Sequence, residues 1–467
     1  MIEEPQKPRG FMDWLKESAT VKAFIIGIII LLLLIPSALI QDLISERSVR
    51  QEEIISEVSD SWSGSQLIKG PVLVIPYKKI ESVMDTARKV VQKETIDYLY
   101  VLPDALKYKA NLKTEVLHRG IFDVVVYNTR VNINGNFDKL NLQGLGISES
   151  QLLLDRAKVT FSISDLKGLK NNPVINFAGQ QVSVEPALSS TALFKNGLQG
   201  NVNLTSIAGG KLSFGFDLDI KGSNQLDFMH LGKVTDVAVS GNWGSPSFTG
   251  RGLPDDRNIH DSSFTAKWRM LYYNRPYPQQ WIGDNNLLNT DESGNKILYK
   301  RGEVDTATSN PNDAVFGVRL RLPVDEYQKT MRTSKYALLI ILLTFVSLFL
   351  TELIGRYRVH VFNYILIGAA MIIYYTLLLS FAEQIGFNYA YAVASVSTIG
   401  LIAAFIASLL KNAKAAGLFT LILSVFYVFI FVIIQLQDLA LIVGSIALFV
   451  IIAVLMYVSR KINFDKQ

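Results

Sequence analysis

Two carboxylates stand where the chain otherwise avoids charge. Glu383, in FAEQIGFNYAYAVAS, is the only Asp, Glu, Lys, Arg or His between Val361 and Leu410, and Glu352 lies in the apolar stretch FVSLFLTELIGRYR. An ionised acid inside a bilayer is costly, so such a residue marks a proton or substrate site, or it sits at the interface where its cost is small. Glu383 is read in both ways, as a solvated carboxylate in a hairpin or as a site facing the bundle. Glu352 precedes Arg356 by four residues, the helical spacing at which Glu followed by Arg attracts. Its alternatives are therefore an interfacial ion pair and a functional intramembrane acid. The two fall at opposite ends of their spans, which speaks against a paired-acid site.

A second concentration of chemistry lies in GNWGSPSFTGRGLP and SFTAKWRMLYYNRPYPQQW. Trp243, Phe248, Trp268, Tyr272, Tyr277 and Trp281 offer faces that stack on a sugar or grip a peptide, and Arg269 or Arg275 offers an anion partner. The alternative is that Trp268 and Phe264 fill a sheet core. Because YYNRPYPQQW carries prolines that no central strand tolerates, an exposed aromatic loop is expected there.

Other chemistries find little support. The histidines His118, His230, His260 and His360 are scattered and no zinc-binding spacing occurs, so neither metal nor cofactor is expected. No Walker loop, nucleophile elbow or dinucleotide fingerprint is present. With no cysteine there is no thiolate nucleophile and no disulfide framework. A hydrolase using an external Ser or Asp is the weakest of the functional readings. The net charge of +5 is dispersed, which argues against nucleic acid as a partner.

The elements that must position these residues follow from hydropathy. Apolar residues make up 49% of the 467 and charged ones 19%, and the surplus is concentrated in runs near the ~20 residues that cross a bilayer. One run covers 23–40, with no cleavage pattern after it, and is read as a signal anchor. Five more are expected at about 336–355, 361–382, 389–410, 415–434 and 439–458. A single helix through 361–410 would be about 75 Å long, so the chain must turn near Gly386. Lys7, Arg9, Lys16, Lys22, Arg356, Arg358, Lys411, Lys414, Arg460 and Lys461 flank alternate span ends and are assigned to the cytoplasm. Lys329, Arg332 and Lys335 are exceptions on the opposite side. Ala390, Ala394 and Thr398, then Gly400, Ala404 and Ser408, form small-residue rows suited to close helix packing. Tyr374, Tyr375, Tyr389 and Tyr391 are read as an interfacial belt.

Between the anchor and the later spans the texture changes. QDLISERSVRQEEIISEVSDSW carries one apolar helical face and is expected to form a stalk ended by Gly70 and Pro71. Alternation then takes over: KLSFGFDLDIKG sets Leu212, Phe214, Phe216, Leu218 and Ile220 against Lys211, Ser213, Gly215, Asp217 and Asp219. SFTAKWRMLYY, VNINGNF and KVTFSISD repeat it. A mainly-β, sandwich-like region is expected, with a subdomain boundary between Asn171 and Asn203.

These segments resemble the CreD family of bacterial inner-membrane proteins. The resemblance is carried by GPVLVIPY, HRGIFDVVVYNTRVNINGNF, GNWGSPSFTGRGLP, SFTAKWRMLYYNRPYPQQW, FGVRLRLPVDEYQKTMRTSKYALLIILLTF and LLLSFAEQIGFNYAYAVAS, spanning roughly 60–460. Hydropathy and charge placement give an integral membrane protein with a cytoplasmic segment 1–22, an N-terminal anchor helix 23–40, an external mainly-β domain with its stalk 41–335, a five-helix bundle 336–458 and a cytoplasmic tail 459–467, and the resemblance implies the same plan with the large domain periplasmic. It also implies a part in cell-envelope integrity and envelope stress, with no enzyme activity. Trp243, Pro246, Phe248, Trp268, Arg275, Pro323, Asp325, Tyr327, Lys335, Glu352 and Glu383 match the family by position, without a role attached. The expectation is a non-enzymatic envelope protein whose β domain binds an envelope component or membrane-protein partner. The runner-up is a transporter or flippase-like protein handling a lipid or envelope intermediate.

Overall fold

The computed structural model describes residues 19–84, 90–187, 193–194, 196–205, 210–283, 287–290, 311–320, 322, 326–355, 357, 359–436 and 439–459. They form two compact units, one from Met1–Glu52 with Val324–Gln467 and one from Glu53–Pro323.

The first unit is helical. Helix α1, Ala19–Trp62, runs without a break through both the expected anchor and the stalk. It is followed by α2 (Glu326–Lys335), α3 (Ala337–Gly355), α4 (Val361–Ile385), α5 (Phe387–Leu410), α6 (Ala413–Gln435) and α7 (Ala440–Ser459). Helices α1, α3, α4, α5 and α6 are long and apolar enough to cross a membrane. Helix α7 is 20 residues of apolar sequence, and Ile442–Val454 is the stretch of it counted apolar among the described residues. Large apolar side chains such as Phe24, Leu31, Ile35, Leu418 and Leu421 point away from the bundle, a surface suited to hydrocarbon and not to water.

Glycine decides two details here. Gly386, at φ +79°, ends α4 and opens α5, where the sequence required a turn. Gly368 lets α1 approach α4 so closely that a Cβ there would meet Leu33 Cδ1 at 2.3 Å. The small-residue rows of α5 divide: Ala390, Ala394 and Thr398 are buried, whereas Gly400, Ala404 and Ser408 are exposed. Helix α2 belongs with the bundle because Tyr327, Thr330, Thr333 and Ser334 bury one of its faces.

The second unit holds two sheets. The nine-stranded sheet runs Pro246–Gly250, Val315–Leu320, Gln225–Met229, Gln66–Met84, Ala157–Ile163, Gly197–Val202, Glu185–Pro186, with Val90–Val101 added beside Gln66–Met84 and Gln280–Ile282 beside Val90–Val101. The eight-stranded sheet runs Asp256–His260, Ser263–Leu271, Val234–Gly241, Ala105–Arg119, Phe122–Phe137, Leu212–Ser223, Val174–Phe177, Gln180–Ser183. Aromatic pairs tie sheet to sheet: Phe161 with Phe216 at 4.8 Å, Tyr108 with Phe228 at 5.1 Å and Trp268 with Phe316 at 5.8 Å between ring centroids. The expected alternation in Leu212–Ser223 is present, with Leu212, Phe214, Phe216, Leu218 and Ile220 inside.

Three expectations are corrected. The stalk helix ends at Trp62, and Gly70–Pro71 lies inside strand Gln66–Met84, where the pairing register shifts between Lys69 and Val72. Proline lacks an N–H for the ladder, so an irregularity is where a strand accepts it. No subdomain boundary falls between 171 and 203, because strands on either side of that stretch pair in both sheets and share one core. Strand Ala157–Ile163 does not alternate, since Thr160 and Ser162 are buried along with its apolar residues.

Candidate functional site

In the helical unit, each carboxylate has a partner from α1. Glu383, near the end of α4, accepts a hydrogen bond from the Tyr327 hydroxyl at 2.9 Å and faces Arg47 Nε at 3.9 Å. Burial, and then the adjacent Glu383 carboxylate, push the Tyr327 hydroxyl well above its ordinary pKa, so it stays protonated and donating. Two residues singled out separately in the sequence, Tyr327 and Glu383, are thus brought together. Arg47 carried no signal beyond its place in the charged stalk.

Glu352 is held more completely. One oxygen takes an ion pair and hydrogen bond from Lys22 Nζ and a second bond from the Val359 N–H at 3.1 Å; the other accepts from Tyr364 at 3.2 Å. Lys22 Nζ also donates to the Val359 carbonyl at 2.5 Å. The described ion partner is therefore Lys22, while Arg356, expected in that role, lies outside the described residues. Lys22 and Arg47 are separated by about 37 Å of helix at 1.5 Å per residue, somewhat more than a ~30 Å hydrocarbon core. The two acids occupy opposite ends of the bundle, as separate fastenings of α1.

Of the aromatic group of the β domain, Tyr272 is exposed, as the loop reading expected, with Tyr273 beside it, whereas Trp268, Tyr277 and Trp281 belong to the core and Trp243 and Phe248 are half-buried against it. Trp268 is buried between the sheets, donates Nε1–H to the Gly252 carbonyl at 3.1 Å and packs edge-on against Phe248 at 5.7 Å. Trp243 packs half-buried on the same core. Pro246 opens the edge strand Pro246–Gly250, a position that needs no amide hydrogen. Trp281 stacks on Tyr100 at 5.2 Å.

Arg275 is also buried, and its guanidinium is committed to the Leu231 carbonyl at 2.5 Å and to Gln279 Oε1, lying over Tyr272 and Tyr277. It is not available to an external anion. The prolines that suggested a loop do make one, but Tyr277 and Trp281 turn inward from it. His230 is a core residue: Nε2–H donates to the Leu271 carbonyl at 2.9 Å and Nδ1 accepts from the Thr235 hydroxyl at 2.8 Å. Lys335 is exposed at the end of α2, and Asp325 and Pro323 lie outside the described residues.

The residues that sequence reasoning passed over lie on the solvent face of the eight-stranded sheet. Lys107 and Lys109 alternate with the buried Leu106, Tyr108 and Ala110 on one central strand, and pair in register with Asn134 and Asn132 on the next. They line a hollow of ≈ 540 Å³ together with Asp236, Asp255, Asp256, Lys267 and Arg269. The other cations there have acids nearby, Lys267 with Asp256 at 3.0 Å and Arg269 with Asp236 at 3.9 Å. Among the described residues Lys107 and Lys109 have none within ion-pair distance. Asn132 donates to Asp217 at 2.6 Å, and the neighbouring Arg130 grips Asp219 through two bonds of 2.7 and 2.9 Å. Those bonds hold the Asp219 carboxyl below its ordinary pKa. The signal was present in the polar halves of ALKYKANLK and RVNINGNF, whose alternation marks a face but not its use.

Residues 18–465 match the family described as inner membrane protein CreD. Inner membrane protein CreD of Escherichia coli (strain K12) is 28% identical over 437 residues, covering 93% of this chain and 91% of that protein. Among solved structures, an M1 zinc metallopeptidase from Deinococcus radiodurans covers 37% of this chain and 38% of its own at 8% identity, with a TM-score of 0.16. That likeness is too slight to bear on fold or chemistry. The family match extends over an N-terminal apolar helix, a large β domain and the C-terminal apolar helices alike, and the chain belongs to the CreD family of inner membrane proteins.

Proposed function

We propose that the chain is a non-enzymatic recognition protein of the cell envelope, whose β domain stands on the periplasmic side and binds a hydroxylated, acid-bearing envelope glycan. The carrying observation is the pair Lys107 and Lys109, two exposed ammonium groups without an acid partner among the described residues, beside Asn132 and Asn134 in one hollow. Unpaired ammonium groups attract carboxylate or phosphate, and the amide oxygen of Asn134 is an acceptor for a neighbouring hydroxyl, while the Asn132 amide is engaged by Asp217 and Asn134. Asp236 and Asp256 add acceptors for sugar hydroxyls. The positive residues at alternate span ends support the periplasmic placement.

The test is rescue of an envelope-stress defect in a deletion strain by expression-matched, membrane-inserted variants. Failure of Lys107→Ala with Lys109→Ala, and rescue by Glu383→Gln, is the expected pattern. The reverse pattern would transfer the function to the bundle and to the transporter reading, with Glu383 at the end of α4 as more than the fastening of Tyr327 on α2.

A further inference from the structure

Lys329, Arg332 and Lys335 are the exceptions to the charge asymmetry that orients the spans, so membrane topology does not account for them. All three lie on α2, and two contacts with α1 fix the depth of that helix. Tyr327 meets Glu383 with Arg47 on its other side, and Gln41 Nε2 donates to the Ser334 carbonyl at 3.3 Å. Helix α2 therefore runs antiparallel to α1, descending from the level of Arg47 to that of Gln41. Gln41 lies about 28 Å of helix from Lys22, the fastening at the opposite end of α1, which sets Ser334 and Lys335 at the edge of a ~30 Å hydrocarbon core. Arg332 and Lys329 stand above that edge, within about 9 Å of helix. Of the tyrosines read as an interfacial belt, Tyr374, Tyr375 and Tyr391 are buried in the bundle; Tyr389, at the start of α5, is exposed and marks the interface at this same end.

Helix α2 buries Tyr327, Thr330, Thr333 and Ser334 against the bundle and turns Arg332 and Lys335 outward. Lys329 is half-buried, over the Phe387 ring and 3.5 Å from Gln435 Oε1. Among the described residues Arg332 and Lys335 have no acid within ion-pair distance, and Glu383 is committed to Tyr327 and Arg47. Past Lys335 the path stays helical: the Tyr336 N–H donates to the Thr333 carbonyl at 3.1 Å, and its own carbonyl accepts from Ile340 at 3.0 Å. Leu338 and Leu342 follow Lys335 at the spacing of one helical face, and both are exposed. Cations at the interface thus continue into an apolar stripe at hydrocarbon depth.

We propose that Arg332, Lys335 and this leucine stripe form a binding surface for an anionic glycerophospholipid, with its phosphate on the cations and an acyl chain along Leu338 and Leu342. The Arg332 guanidinium offers paired N–H donors that match two phosphate oxygens, and Lys335 adds a point charge. A soluble anion would use the cations alone, whereas the leucines below them favour a lipid. The surface is independent of the glycan reading.

The test titrates full-length protein in detergent with phosphatidylglycerol and, separately, with zwitterionic phosphatidylethanolamine, and counts bound lipid by native mass spectrometry. The expected result is a preference for phosphatidylglycerol that falls about tenfold in Arg332→Gln with Lys335→Gln. Lys411→Gln with Lys414→Gln, which removes the same charge at the opposite end of the bundle, keeps it. The melting temperature in lipid-free detergent, expected to be unchanged in both double variants, separates lost binding from lost folding. No preference in the parent, or an equal loss in the two double variants, would overturn the proposal.

Discussion

The Tyr327 hydroxyl donates to Glu383 at 2.9 Å, joining the short helix α2 to the end of α4. The one acid of the α4 to α5 stretch therefore serves as a fastening, with Arg47 of α1 on its other side. A hydrogen bond to a charged group contributes about 1.5–3 kcal/mol. Tyr327→Phe is expected to speed amide exchange across 326–335 about tenfold, whereas Glu383→Gln, which keeps an acceptor for the tyrosine, has a smaller effect. Equal exchange in both variants and the parent would show that the contact does not hold α2 in place.

At the other end of α1, Lys22 and Glu352 are coupled with the Val359 backbone and Tyr364. Removing one partner leaves the other charged group half-desolvated, so Lys22→Met or Glu352→Gln alone should cost about 2–4 kcal/mol. The double replacement should cost less than the sum by at least about 1 kcal/mol. Thermal unfolding of the four proteins in one detergent measures the coupling.

Acid should destabilise the β domain through His230. Burial lowers its pKa from 6.5 to about 4, and Arg275 beside it acts in the same direction. Between those values the unfolded chain binds a proton that the folded chain refuses. The stabilisation is thus complete above pH 6.5 and is lost as pH falls towards 4, by up to about 3 kcal/mol. Asp227, whose pKa burial raises, acts oppositely at acid pH, so the difference between the parent and His230→Gln is the quantity to follow. A pH dependence unchanged by the substitution would exclude His230 as its source.

Trp268→Ala should cost about 3–5 kcal/mol, because the side chain fills the space between the sheets. Tyr273→Ala, at a side chain 92% exposed, should leave unfolding within about 0.5 kcal/mol of the parent. Tyr273→Ala leaves glycan binding unchanged if recognition lies on the lysine face.

Much of the architecture was legible because it rests on periodicity. The apolar runs predicted α1 and α3 to α6, the need to turn predicted Gly386, and alternation predicted the strand Leu212–Ser223. What periodicity does not encode is which distant residues meet. Lys22 is adjacent to Glu352 only once α1 packs beside the bundle, and Gly368 acquires meaning only against Leu33. The aromatic cluster misled for a related reason: prolines mark a loop, but tertiary packing decided that Trp268, Tyr277 and Trp281 turn inward. Lys107 and Lys109 were invisible as a site because a solvated polar face and a binding face have the same alternating pattern.

The glycan reading is tested most directly by binding of soluble, carboxylate-bearing peptidoglycan strands to the detergent-solubilised full-length protein, with neutral dextran as the control. The expected result is binding to the acidic strands only, weakened at least tenfold, or about 1.4 kcal/mol, by Lys107→Ala with Lys109→Ala in a variant whose melting temperature is unchanged. Equal binding by parent and double variant, or no preference over dextran, would contradict it.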